Sequence, residues 1–223
     1  MRKLLFTSLW LVSILVAVFG GYWVGTHRQE ALKSPAAKII PRPLEKYTYD
    51  NLKIRGGIAS DVKIERTLKE EDKFTSYLFS YFTNGKRVTG QMNVPNSAGP
   101  YPTILMFRGY AEKETYKIGT GTAPSAKVYA SNGFLTFAPD FLGYGESEAR
   151  AEDQIEARLE NYTTALDALA SIKNIKEADS NNVFIWGHSN GGHLAVATLE
   201  ISGKPIPTTL WAPVTAPFPH SAL

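Results

Sequence analysis

The chain has 223 residues, 43% hydrophobic and 20% charged, a composition that suits one globular domain of ordinary size plus an appendage. The formal net charge is +3 and no Lys/Arg cluster interleaves with aromatics, so nucleic acid is not indicated as a partner. With no cysteine there is no disulfide framework, thiol nucleophile or Cys-ligated metal, and the four histidines (27, 188, 193 and 220) have no zinc spacing, so neither metal nor cofactor is expected.

Leu4 to Gly25 carries no charge and lies between Arg2-Lys3 and His27-Arg28. A run of about 20 apolar residues can cross a bilayer as a helix. The run therefore reads first as an uncleaved transmembrane anchor, next as a cleaved signal segment, and last as a buried helix. With Arg2 and Lys3 held inside, the anchor makes the rest membrane-bound and extracytoplasmic, and the signal segment makes it secreted. This gives a first region at 1–27, with the membrane as a partner through residues 4–25. Residues 28–60 read as a linker, because Pro35, Pro41 and Pro43 forbid a continuous helix. The folded domain is expected over 61–223.

Val62 to Arg66 alternates as a strand does. Thr75 to Phe82 and Arg87 to Val94 are β-rich, and Asn84-Gly85 between them predicts a hairpin, since both residues accept positive φ. Thr103 to Phe107 is continuously apolar, as in a strand buried on both faces. Ala123 to Asn132 predicts a short helix closed by Gly133, and Phe134 to Ala138 the next strand. Glu152 to Lys176 predicts the longest helix, with Ile155, Leu159, Tyr162, Leu166, Leu169 and Ile172 as its apolar stripe. Val183 to Trp186 is a strand, Gly192 to about Ile201 a helix, and Pro207 to Trp211 a last strand. The alternation after an antiparallel opening implies an α/β domain with a mostly parallel sheet.

Chemistry concentrates at Gly187-His188-Ser189-Asn190-Gly191, placed between a strand and a helix. That context is the one a nucleophile elbow needs. Gly187 and Gly191 free the turn of flanking side chains, Ser189 supplies a nucleophile, and the Asn190 amide supplies a donor for developing negative charge. Three neighbours have plainer readings. His188 reads as packing at the turn, His193 as packing on the following helix, and Asp140 as a hydrogen-bond anchor at a strand end.

With Phe107-Arg108-Gly109-Tyr110 and Asp140-Phe141-Leu142-Gly143-Tyr144-Gly145-Glu146-Ser147 added to the elbow, residues 60–223 resemble the α/β-hydrolase superfamily. Within it they resemble the catalytic domain of prolyl oligopeptidase-like (S9-type) serine peptidases and related esterases. The resemblance implies a serine hydrolase acting on a small peptide or ester, a peptidase first and a carboxylesterase second. It also implies that the first loop gives a second oxyanion donor, here the backbone of Gly109-Tyr110 or the Tyr110 hydroxyl. Arg108 departs from the His-Gly common at that place. The family's order of serine, acid, base is not met: Glu200 is the only carboxylate after Ser189, and His220 closes the chain. The expectation is accordingly an incomplete α/β-hydrolase fold whose C-terminal strands are missing and which is poorly active alone. Its rivals are a surface protein that binds without catalysis and a hydrolase using His193 or His220 unconventionally. Oligomeric state is not legible.

Overall fold

The computed structural model describes residue 10, residues 14–26 and residues 42–214. The chain divides into two compact units, Met1–Pro43 and Leu44–Leu223.

In the first unit residues 14–26 form helix α1, whose last turn is closed by the Thr26 hydroxyl donating to the carbonyls of Tyr22 and Trp23. This corrects the expectation of a membrane anchor over residues 4–25. The described stretch 14–26 spans about 20 Å at 1.5 Å per residue. Among the described residues no helix is long and apolar enough to cross a membrane. The transmembrane and membrane-anchored extracytoplasmic assignments are corrected on that finding. Residues 4–9 and 11–13 lie outside the described residues, as do residues 28–41 of the expected linker.

The second unit begins inside the stretch read as linker. A 3₁₀ turn at Glu45–Tyr47 leads into α2 (Tyr49–Arg55). Tyr47 and Leu52 are buried against Leu166 and Ile201. Seven strands follow: β1 (Lys63–Glu70), β2 (Phe74–Thr83), β3 (Lys86–Pro95), β4 (Tyr101–Phe107), β5 (Leu135–Pro139), β6 (Ala178–His188) and β7 (Thr208–Trp211). They form one sheet in the order β1-β2-β3-β5-β4-β6-β7. The first four positions are antiparallel neighbours, and β5, β4, β6 and β7 run parallel. The β2–β3 hairpin closes at Asn84 (φ 48°) and Gly85 (φ 76°), the two left-handed residues a tight two-residue turn requires.

Helices α3 (Ala123–Ala130), α4 (Gln154–Ser171) and α5 (Asn190–Ser202) cover both faces of the sheet. Alternation along β4 sorts its side chains. Ile104 and Met106 pack with Ala126 of α3, while Leu105 and Phe107 join Ala165 and Ala168 of α4 and Leu194 and Ala195 of α5. Helix α4 starts on an Asp153 cap that accepts the amide of Glu156. Its apolar stripe is only half right. Leu166 and Ile172 are buried but Ile155 is 51% exposed, and the buried face also carries Glu160, Thr164, Asp167 and Ser171. Each of these is hydrogen-bonded, which makes their burial tolerable.

Candidate active site

Strand β6 ends at His188 and α5 begins at Asn190, so Ser189 alone makes the turn. Its backbone sits at φ 52°, ψ −119°, a region that non-glycine residues avoid and that the surroundings must enforce. The enforcement is visible. Ser189 N–H donates to the Trp211 carbonyl at 3.1 Å, and the Ser189 carbonyl accepts from Gly192 (2.9 Å) and Val214 (3.0 Å). The flanking glycines are steric necessities. A Cβ on Gly187 would stand 2.5 Å from the Gly191 carbonyl oxygen, and one on Gly191 would strike the Phe107 carbonyl. Gly109 is held as tightly from the other side, because its Cβ would meet the Ser189 Cβ at 3.0 Å and His188 Nδ1 at 3.2 Å. The loop after β4 and the elbow after β6 thus face each other across Ser189.

The amides of Gly109, Tyr110 and Asn190 have no acceptor among the described residues. Asn190 opens α5, where helix N–H groups are unpaired by construction and the helix dipole is positive. The Tyr110 side chain is 68% exposed, and its hydroxyl is engaged by Glu112, which pushes the phenol pKa up.

Arg108 fixes the first loop from within. It is buried, donates from Nη1 to the Gly109 carbonyl (2.8 Å) and from Nη2 to the Asp140 carbonyl (3.0 Å). Its guanidinium lies 4.1 Å from the Tyr144 ring centroid, 4.9 Å from Tyr116 and 5.9 Å from Phe141, a cation in an aromatic cage. Asp140 is the anchor expected of it. Its carboxylate accepts from Thr89 (2.8 Å) and Tyr116 (2.6 Å), tying β3 and the 109–121 loop to the end of β5. Burial raises the Asp140 pKa despite these bonds, and burial together with the Asp140 charge pushes the Tyr116 phenol well up.

His188 and His193 are both half-buried. His193 Nε2 lies 2.9 Å from the Tyr162 hydroxyl, which burial keeps protonated. His188 stacks loosely near Trp186, with ring centroids 6.3 Å apart. Among the described residues no histidine is hydrogen-bonded to the Ser189 hydroxyl. His27 and His220 lie outside the described residues. No cluster of metal ligands is present among the described residues either.

A cleft of about 140 Å³ opens beside Asn190 and Gly109, between α4, α5 and the 140–150 loop. Its walls include Tyr144, Arg150, Arg158, Tyr162 and His193. None of these except His193 stands out as a site residue from spacing alone. Tyr162 is hidden in the helix stripe, and the arginines belong to no motif. The only available signal was a polar-tipped aromatic amid aliphatic positions.

A mostly parallel sheet covered on both faces, with a strand-to-helix turn that presents a serine, defines an α/β-hydrolase. The likeness to solved structures carries the same fold. The chain matches an acetyl xylan esterase from Paenibacillus sp. R4 with TM-score 0.55 and 19% identity, over 75% of this chain and 58% of that one. It matches acetyl xylan esterase 1 from Thermoanaerobacterium sp. JW/SL YS485 with TM-score 0.52 and 17% identity, over 73% and 55%. More particularly, residues 86–206 match the chlorophyllase family model, and the chain belongs to that family. It is also 29% identical over 140 residues to the uncharacterized peptidase YtmA of Bacillus subtilis (strain 168), covering 62% of this chain and 51% of that protein. The chain thus spans about half the length of the curated relative it matches. What these relatives share with the prolyl oligopeptidase-like resemblance is the α/β-hydrolase superfamily.

Proposed function

We propose that the protein hydrolyses carboxylic esters with Ser189 as nucleophile. The observation that carries this is the strained Ser189 backbone at the β6–α5 turn, pressed against Gly109. Ser189 Oγ attacks the acyl carbon and loses its proton to a base. The tetrahedral oxyanion is met by the amides of Asn190 and of Gly109 or Tyr110. The alkoxide leaves with a proton, and water then releases the acid and restores the serine. A backbone donor is favoured over the Tyr110 hydroxyl because the Tyr110 side chain is turned to solvent, 68% exposed. Peptide hydrolysis of the prolyl oligopeptidase-like type is the second reading, favoured by the name of the Bacillus relative.

The test is labelling by a fluorophosphonate together with turnover of 4-nitrophenyl acetate and of a peptide 4-nitroanilide. Ser189→Ala is expected to abolish labelling and reduce ester turnover to background with the far-UV spectrum unchanged. Full labelling of the variant overturns the assignment. Ser189-dependent cleavage of the anilide at a rate rivalling the ester moves the protein to the peptidase reading.

A further inference from the structure

Phe141, Leu142, Leu159 and Leu194 give the cleft an apolar lining, and all but Leu159 are buried. Among them stand the Tyr162 hydroxyl and His193 Nε2, 2.9 Å apart, brought together from α4 and α5. Apolar walls with a few placed polar groups are what orient a small ligand. The hydrolysis described above uses neither residue. The cleft of about 140 Å³ sets the bulk of the group it takes. A cavity of about 150 Å³ lined by Leu, Ile and Phe takes up benzene. One six-membered ring fills such a space, and a long fatty chain does not fit. A rigid ring also has fewer rotors to freeze than a chain of equal bulk, and Phe141 and Tyr144 offer it faces and edges. His193 lies three residues beyond Asn190 on α5, ~4.5 Å along the helix axis. The polar pair and the candidate oxyanion donor are thus separated along the helix by a length comparable to one ring. The pair itself says what the far end of that ring carries. Burial raises the Tyr162 pKa, so the phenol keeps its proton at neutral pH. Where the phenol donates to Nε2, its lone pairs remain to accept; where Nε2–H donates, the phenol proton remains to be given. A carboxylate answers only the second case. A ligand hydroxyl, which both donates and accepts, answers both.

We propose that the cleft takes the acyl part of esters of hydroxylated aromatic acids, with the ring on the apolar lining and its hydroxyl bonded to the Tyr162–His193 pair. This rests on the ester-hydrolase reading and names its substrate class; Tyr162 and His193 are specificity-determining residues and take no part in the bond-breaking steps. The matched probes are 4-nitrophenyl 4-hydroxybenzoate and 4-nitrophenyl 4-methylbenzoate, in which a methyl group of similar size replaces the hydroxyl. The ratio of their kcat/KM values, hydroxy over methyl, should fall about five- to tenfold in Tyr162→Phe, the worth of one hydrogen bond, and should fall in His193→Leu as well. Each variant is compared with the parent on the same two esters, so their unequal intrinsic reactivity cancels. Both esters are measured on one preparation, so the ratio is also independent of the folded fraction. A third ester, 4-nitrophenyl decanoate, tests the size of the cleft; relative to its hydroxide-catalysed rate it should be turned over more slowly than either benzoate. Binding of methyl 4-hydroxybenzoate and methyl 4-methylbenzoate to the Ser189→Ala protein is measured in parallel by equilibrium dialysis.

A hydroxy-to-methyl ratio lowered by both substitutions, together with slow decanoate turnover, supports the proposal. A ratio unchanged by either substitution, or decanoate turned over faster than the benzoates, overturns it; Ser189-dependent turnover then leaves the ester-hydrolase reading standing. Absence of Ser189-dependent turnover with all three esters overturns that reading instead, and the dialysis pair decides on the cleft alone. Tighter binding of the hydroxybenzoate, lost in Ser189→Ala/Tyr162→Phe, supports the site, and equal binding removes it.

Discussion

Asp140 and Asp167 are two carboxylates of equal burial, at 1% and 0% exposure, with opposite surroundings. Asp167, on α4, is met by the Arg55 guanidinium at 2.8 and 2.7 Å, by the Ile58 amide at 2.7 Å and by the Thr83 hydroxyl at 2.6 Å. Its partners come from α2, the segment after it and β2, so it fastens the start of the unit to the body. Asp140 has no guanidinium on its carboxylate. Arg108 reaches past it to the Asp140 carbonyl, and the carboxylate is left to the hydroxyls of Thr89 and Tyr116. The cation of this second cluster is spent on orienting Gly109 beside Ser189. Where the cation neutralises the buried acid, the cluster holds architecture. Where the cation is diverted to a backbone carbonyl, the cluster holds a loop of the candidate site and the acid bears the desolvation.

The contrast is broken most severely at Asp167. Asp167→Ala would leave the Arg55 charge, one amide and one hydroxyl without their acceptor. Loss of one partner of a buried pair destabilises by about 3–5 kcal/mol. Urea denaturation should show that loss as a lowered midpoint, while ester turnover per folded molecule stays at the parent value. An unchanged midpoint would mean that the 49–58 segment contributes nothing to the stability of the unit.

Asp140→Ala should be milder for the fold and harsher for the site. Two buried hydroxyls lose their acceptor, which costs about 1–3 kcal/mol. Loss of the Tyr116 contact frees the 109–121 loop, so Ser189-dependent ester turnover should fall at least tenfold even where the protein is fully folded. Arg108→Met should reproduce that fall, because the thioether can fill the aromatic cage but cannot hold the Gly109 carbonyl. If either variant keeps full turnover, the first loop is not positioned by this cluster.

How much of this was legible in the sequence follows from the range of each interaction. The Asn84-Gly85 turn and the elbow glycines are decided within a few residues, and the structure has them where local chemistry puts them, whereas α4, expected over Glu152 to Lys176, runs Gln154–Ser171. The antiparallel opening and the parallel strands after it followed from the hairpin and the alternation, whereas the strand order, with β5 between β3 and β4, did not. The Asp167 cluster could not be seen, because Arg55 and Asp167 are 112 residues apart and a stripe of apolar positions gives no weight to a paired acid. For the same reason Ile155 was counted inward and found exposed, while Glu160 was found buried beside Lys86. At the site, Ser189 and Asn190 were local readings and Gly109 came with the family resemblance, whereas the Arg108 cage joins residues of the loops after β4 and after β5. The charge-free run at 4–25 misled because absence of charge is not by itself enough for a span, and among the described residues no helix is long and apolar enough to cross a membrane.

The smallest effect separates the two clusters by pH. Burial raises the Asp140 pKa above its ordinary 3.8, while hydrogen bonds from Tyr116 and Thr89 pull the other way and do not prevail. A carboxyl that binds its proton more tightly when folded favours the folded state at low pH. Its contribution is complete below 3.8 and is lost as pH rises through the higher native value. Asp140→Asn is neutral throughout and lacks this dependence. The Tm of the parent minus that of Asp140→Asn should therefore fall as pH increases from about 3.5 to 7, by on the order of 1–2 °C. Exposed acids such as Glu146 and Glu156 behave oppositely, because their pKa values are lowered by Arg66 and Lys46 and their contribution is lost as pH falls below the usual 4.5. Those pairs are shared by both proteins and cancel in the difference, so the measurement isolates Asp140. A difference that rises with pH would show a carboxylate stabilised by its hydroxyl partners as fully as an ion pair would do it, and the distinction between the two aspartates would fail.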